Sequence, residues 1–229
     1  MRRSMVERVP TERWATFDCY GTLVDWNAGI GAELARLFGG EAASLLERYH
    51  EIEPRVQREQ PDLAYRDVMA AVLAELAAER GISLPDDERG ALGGSLPAWP
   101  VFEDVPSALT EARERGWRLV ALSNSDRDLI EASVQAIGVP FDGAIVAGEI
   151  GSYKPAHGHW EAFAEQVDVE PGKHVHVAQS HFHDIVPAHE LGLPSVWINR
   201  LGERGDPAPT REQPDLRGLA DTLDALVPA

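Results

Sequence analysis

An α/β fold with a parallel sheet and an inserted all-helical unit is what this chain predicts, on three observations. Five short apolar runs alternate with helix-length segments. That rhythm stops between about residues 26 and 98, where only helical spacing is found. Polar clusters stand just after the apolar runs, where an open α/β sheet collects its ligands.

The runs 14–18, 118–123, 144–147, 174–178 and 195–199 are short, apolar and continuous, as expected of strands buried on both faces. Between them, 104–115, 126–136, 157–166 and 184–191 carry helical apolar spacing. Asp104 and Asp126 stand where a carboxylate can cap exposed N–H groups, and Gly116, Gly138 and Gly192 stand where helices close. Within the interruption, 26–38, 42–59, 65–80 and 86–96 read as four helices. The insertion leaves just after the first strand and returns at Val101-Phe102, so both connections are expected beside that strand's end and the helices can cover it and exclude water.

The 229 residues, 44% of them hydrophobic, suit one sizeable core with one smaller appended unit. A formal charge of −17 repels nucleic acid and anionic membrane surfaces, so an anionic substrate needs a local cationic pocket. The single cysteine, Cys19, excludes an internal disulfide. No run approaches the ~20 apolar residues that span a bilayer, and Met1-Arg2-Arg3 is not followed by the apolar stretch of a secretory signal. A reducing cytoplasm is the expectation.

The first strand runs into Asp18-Cys19-Tyr20-Gly21-Thr22. A carboxylate attacks well when it is fixed at a strand's carboxyl end beside backbone N–H groups and a cation, which makes Asp18 a candidate nucleophile. The second strand ends at Ser123-Asn124, a hydroxyl and an amide able to bond a carboxylate or phosphate oxygen, or simply turn chemistry. Pro155 keeps Lys154 out of a helix, leaving its ammonium free to hold a buried carboxylate ionised. Gln179-Ser180-His181-Phe182-His183-Asp184 follows the fourth strand and adds a second carboxylate. Seven of the eight histidines lie between 157 and 189, but without zinc-ligand spacing. Hydrogen-bonding roles for His181 or His183 are expected instead.

These four clusters, in this order, resemble the four motifs of the haloacid dehalogenase superfamily. Tyr20 stands where that family's phosphatases carry a second Asp, and with it the chain resembles the type II 2-haloacid dehalogenases. The resemblance implies a Rossmann-like core of 1–25 and 99–229 and a helical cap of 26–98. It implies that Asp18 displaces halide from a 2-haloacid by inversion, forming an aspartyl ester that water then cleaves, with Lys154, Asp184 and Thr22 as catalytic partners. Backbone N–H groups of Cys19 and Tyr20, with Ser123 and Asn124, would hold the substrate carboxylate.

Gln179, Ser180 and His181 occupy the places of Ser-Ser-Asn in established dehalogenases, and Trp160 takes the place of a Tyr. Among Arg48, Arg55 and Arg58, Arg48 lies nearest the family's cap arginine, with Glu47 competing for the position. No cofactor is implied. A phosphatase would instead need Mg²⁺, with Asp18 and Asp184 as ligands. A non-catalytic binding protein is the third reading. The expected partner is a small anionic molecule, and a homodimer stays open.

Overall fold

The computed structural model describes residues 12–39, 42–61 and 63–229; Met1-Arg2-Arg3 lies outside them. Six parallel strands form one sheet, β1 (Arg13–Phe17), β2 (Trp117–Ser123), β3 (Gly143–Val146), β4 (His174–Ala178), β5 (Ser195–Ile198) and β6 (Arg211–Gln213), in the order β3-β2-β1-β4-β5-β6. The chain builds outward from β1 to β3, then returns to place β4 on the other side of β1. That reversal opens a crevice at the carboxyl ends of β1 and β4, the place where such sheets bind ligands.

β6 was not legible as a strand. It is a three-residue edge reading Arg-Glu-Gln, without an apolar pattern, and charge on an edge strand discourages pairing with other chains.

Helices α1 (Trp26–Phe38), α2 (Ala42–Glu59) and α3 (Tyr65–Glu79) occupy the insertion. The expected fourth helix is broken into a 3₁₀ turn at Asp86–Glu88, a short α4 (Ala91–Ser95) and a second 3₁₀ turn at Leu96–Ala98. Gly90, Gly93, Gly94 and Pro97 account for the break, being the weakest helix formers.

The two connections of the insertion run side by side. Val24 bridges Val101, Asp25 N–H donates to Pro100 O at 2.7 Å, and Phe102 N–H donates to Leu23 O at 3.1 Å. Gly29 of α1 lies so close to Trp99 that a Cβ there would fall 2.2 Å from the indole, so only glycine lets the two meet.

Helices α5 (Val105–Glu114), α6 (Arg127–Ile137), α7 (Ala147–Ile150), α8 (Gly158–Gln166), α9 (Val186–Glu190) and α10 (Leu219–Leu226) flank the sheet. On one face Ala15 and Phe17 pack with Leu109, Trp117, Val175 and Leu223. On the other, Val120 and Leu122 meet Trp160 and Phe163 of α8. A third apolar cluster joins insertion and core, running from Leu73, Met69 and Trp99 into Leu129, Ile130 and Val146.

The expected caps work differently. Asp104 makes no cap bond and accepts instead from Arg200 and from Leu216 N–H at 2.7 Å. Asp126 turns away from its own helix and accepts from Tyr65 N–H at 3.1 Å and Arg66 N–H at 3.0 Å, capping α3 across the interface. The helix expected from Asp184 begins earlier, as a π-helical turn at His181–Ile185 leading into α9. Ser180 starts it by accepting from His183 N–H, and Pro187 has no N–H to return to the His183 carbonyl, which favours the wider turn.

Candidate active site

Asp18 follows the last residue of β1, and its backbone N–H donates to Val177 O of β4 at 3.1 Å. The chain then reverses sharply. Gly21 adopts φ +92°, and a Cβ there would lie 2.9 Å from Gln179 Oε1 and 3.1 Å from Trp26 Nε1, so the turn needs glycine on both grounds. The reversal brings Thr22 back onto the carboxylate, where its hydroxyl donates to Asp18 Oδ2 at 2.7 Å while accepting from Gln179 N–H at 2.9 Å.

Lys154 is 2% exposed and its ammonium has three acceptors, Asp18 Oδ1 at 2.9 Å, Asp184 Oδ1 at 2.7 Å and Leu122 O at 2.8 Å. That matches the three donors of an ammonium. Its backbone is fixed by Asn124, whose amide donates to Lys154 O at 2.9 Å and accepts from Lys154 N–H at 2.6 Å. Burial works against the ammonium, but the two carboxylates outweigh it and raise its pKa.

The two acids share this cation unequally. Burial opposes ionisation of Asp184, yet Lys154 and His176, which bonds its Oδ1 at 2.9 Å, hold it well below the usual carboxylate range. Burial lifts Asp18 above that range against the pull of Lys154. Asp18 is thus the less stabilised and more basic carboxylate of the two. Asp184 Oδ2 is buried with no partner among the described residues.

A hydrogen-bonded chain runs from Asp184 down into the sheet. Thr16 and His176 are in register on β1 and β4, so their side chains emerge on the same face. Thr16 Oγ1 bonds His176 Nδ1 at 2.9 Å and His174 Nε2 at 2.7 Å. With His176 Nε2–H donating to the anionic Asp184, Nδ1 accepts from the Thr16 hydroxyl, which accepts from His174 Nε2–H. Burial pushes His174 down to about 3 and His159, which bonds Ser123 O at 2.9 Å, down to about 4, so both are neutral near pH 7.

A cavity of about 640 Å³ opens above Asp18. Tyr20, Ser123, Asn124 and Lys154 line its floor, with Gln179, Ser180, His181 and Asp184 from the fourth cluster; the insertion contributes Trp26, Asn27, His50, Glu53, Pro54, Gln57 and Tyr65. Leu201, Glu203 and Arg204 close one side from the loop after β5.

The family described as haloacid dehalogenase-like hydrolase matches residues 13–192. The chain belongs to that family. It is 26% identical over 216 residues to the (S)-2-haloacid dehalogenase of Pseudomonas sp. strain YL, covering 91% of this chain and 93% of the relative. It is 35% identical over 103 residues to the N-acylneuraminate-9-phosphatase of Rattus norvegicus, covering 44% of this chain and 41% of that protein. Its fold is similar to that of the L-2-haloacid dehalogenase from Xanthobacter autotrophicus, with a TM-score of 0.84 and 17% identity over 94% of this chain and 99% of the other.

In this haloacid dehalogenase-like hydrolase, the cap wall of the cavity carries no arginine among the described residues. Arg48 is not brought to it. The helix register turns Arg48 outward, where it pairs with Glu51 at 2.7 Å and Glu79 at 2.6 Å, and Arg55 pairs with Glu75 at 2.6 Å. The inner face of α2 presents His50, Glu53 and Gln57 instead. Trp160 also lies away from the cavity, buried beneath it edge-on to His176 at 5.2 Å between ring centroids. Cys19 is buried in the apolar cluster that joins cap and core, with its thiol pushed up by burial beyond any ionisation near neutrality.

The side-chain amide of Asn124, which lines the cavity, spends one N–H and its Oδ1 on the Lys154 backbone and keeps a second N–H. His181 bonds Pro207 O at 2.9 Å and packs edge-on against Trp197, so it anchors the 201–207 loop; His183 bonds Ser180 Oγ at 3.0 Å and burial lowers its pKa.

A Mg²⁺ ion does not suit this donor set. Asp18 Oδ1 and Asp184 Oδ1 both face the Lys154 ammonium, Tyr20 and Gln179 in the same cavity add no carboxylate, and Mg²⁺ demands a near-octahedral shell of hard oxygens. Sequence reasoning missed Thr16, His174 and His176 as a connected set, and Glu53 and Arg204 as cavity residues. The alternation of His174 and His176 on one strand face was the available signal.

Proposed function

We infer that this protein hydrolyses the carbon–halogen bond of 2-haloacids, with a core of 1–25 and 99–229, a cap of 26–98 and Asp18 as nucleophile, in the cytoplasm. The observation that carries the reading is the bridge from Lys154 to both Asp18 and Asp184 beside a Tyr20 that supplies no acid. A phosphate ester needs its alkoxide protonated on leaving, whereas halide departs as a stable anion and needs no proton.

One oxygen of Asp18 attacks the carbon bearing the halogen. A C–O bond forms, the C–X bond breaks and halide leaves with the bonding pair, inverting that carbon. Thr22 and Lys154 hold the carboxylate in place for attack, and Lys154 then offsets the negative charge that develops when water adds to the carboxyl carbon of the ester. Asp184 Oδ2, the unpartnered oxygen, accepts a proton from that water. Collapse breaks the bond between the Asp18 carboxyl carbon and the ester oxygen, Asp184 returns its proton to that departing oxygen, and the 2-hydroxy acid leaves with Asp18 and Asp184 both restored. His176 holds Asp184 Oδ1, which leaves Oδ2 for this step. Arg204 is the guanidinium of the cavity wall and the counter-charge for the substrate carboxylate.

The test is a single turnover of 2-chloropropionate in H₂¹⁸O with enzyme in excess. The hydroxy acid should leave unlabelled while Asp18 takes up the heavy oxygen, read by mass spectrometry of the peptide. Heavy oxygen in first-turnover product would overturn the ester route.

A further inference from the structure

Building on the 2-haloacid reading, we propose that the cap wall of the cavity is a second recognition site, for a substrate whose side chain ends in an ammonium or another hydrogen-bond donor. Glu53 is its principal ligand, so the preferred substrate class is the 2-haloacid with a donor-ended tail rather than the short haloalkanoate.

Charge and room argue for this. The cavity holds about 640 Å³, within the roughly 300–1,000 Å³ range of sites that enclose drug-sized ligands and far beyond the need of a three-carbon acid. Its acids are Asp18, Asp184, Glu53 and Glu203, and its cations are Lys154 and Arg204. Lys154 is fully used by Asp18, Asp184 and a backbone carbonyl. What remains for a ligand is Glu53 and Glu203 against Arg204. The arginines that could have reversed this balance, Arg48 and Arg55, are turned outward onto Glu51, Glu59, Glu75 and Glu79.

The wall is also built for donors. Glu53 is 6% exposed and touches no cation among the described residues; Gln57 Nε2 donates to its Oε1 at 2.6 Å and the Tyr65 hydroxyl also bonds the carboxyl, and these two neutral donors leave acceptor sites of the carboxylate for a ligand. A buried carboxylate without a positive partner is costly to keep, and a ligand ammonium supplies that partner. Asn27 and His50 line the same wall, and Asn27 Oδ1 and His50 Nε2 are buried without partners among the described residues. The Trp26 ring, stacked on His50 at 4.8 Å, offers an aromatic face of the kind that attracts cations.

The experiment compares near-isosteric tails. Halide release is measured for 6-amino-2-chlorohexanoate, 2-chloro-6-hydroxyhexanoate and 2-chloroheptanoate, with 2-chloropropionate as the short reference. The ammonium-ended acid should exceed the methyl-ended one in kcat/KM by about tenfold or more, with the hydroxyl-ended acid between them. In Glu53→Gln that ratio should fall to within about threefold. A wild-type ratio near one, a preference for the methyl-ended acid, or an unchanged ratio in Glu53→Gln would each overturn the proposal.

Calorimetry separates this site from the chemistry. In Asp18→Asn, 6-amino-2-hydroxyhexanoate should bind more tightly than 2-hydroxyheptanoate by a similar factor. Tighter binding of the ammonium with no halide release from any chloroacid would keep the cap site and sink the dehalogenase reading. Halide release from 2-chloropropionate with equal binding of the two hydroxy acids would do the opposite.

Discussion

Asp184 and Glu53 are both buried acids in one cavity, and their environments push them apart. Asp184 has an ammonium and an imidazole on Oδ1 and stays ionised, leaving Oδ2 to take a proton. Asp184→Asn removes that base while keeping the shape, so the first half-reaction should outlive the second. Intact mass after mixing with 2-chloropropionate should show the ester on Asp18, and halide should appear as a burst of about one equivalent. An absence of ester with normal turnover would remove Asp184 from the hydrolytic step. Glu53 lacks a cation, and burial pushes its carboxyl up to about 7 from 4.5. The folded protein therefore holds an extra proton between those values, and stability from this group is full below pH 4.5 and lost as pH rises through 7. The loss is on the order of 3 kcal/mol. Glu53→Gln should therefore raise the melting temperature at pH 8 and leave it nearly unchanged at pH 5. At this scale the sequence was informative about Asp18, Thr22, Lys154 and Asp184, because local turn chemistry and strand ends place them. It was silent on Glu53, because which side of α2 faces the cavity depends on how the cap is seated.

Elements seat the cap, and one of them is completed from outside itself. Helix α3 begins after Ala64, which has no side chain to cap it, and its first N–H groups donate to Asp126 of the core. A carboxylate there satisfies donors and complements the helix dipole. Asp126→Ala should cost about 1 kcal/mol and loosen the cap more than the core. Hydrogen exchange at Tyr65 and Arg66 should quicken while the amides of β1 and β2 hold their protection, and Asp126→Asn should restore most of the loss. Uniform quickening of both would show that the bond is not local to the cap. From sequence Asp126 was assigned to its own helix, since an Asp before apolar spacing has that meaning locally and only tertiary contact can redirect it. The spans of α1 and α2 were legible because their apolar period runs unbroken past Gly29, Gly31 and Pro54. The fourth cap helix was not, because its period continues through glycines that do not sustain a helix.

For the molecule as a whole, the paired connections at Val24 and Val101 bear on the order of assembly. The central strand pairing, Arg13 with Trp117, closes across the entire cap, and drawing together the ends of so long a loop is an entropic obstacle to folding. A cap that forms early and fastens Val24 to Val101 shortens that search to a few residues on either side. Pulse-labelled refolding should find the amides of α1 to α3 protected no later than those of β1 and β2; protection of the sheet ahead of the cap would contradict this order. The insertion that shelters the chemistry would then also serve as the clasp that lets β1 find its neighbour, and replacements at the bridge would be felt first in how fast the enzyme is made rather than in how fast it works.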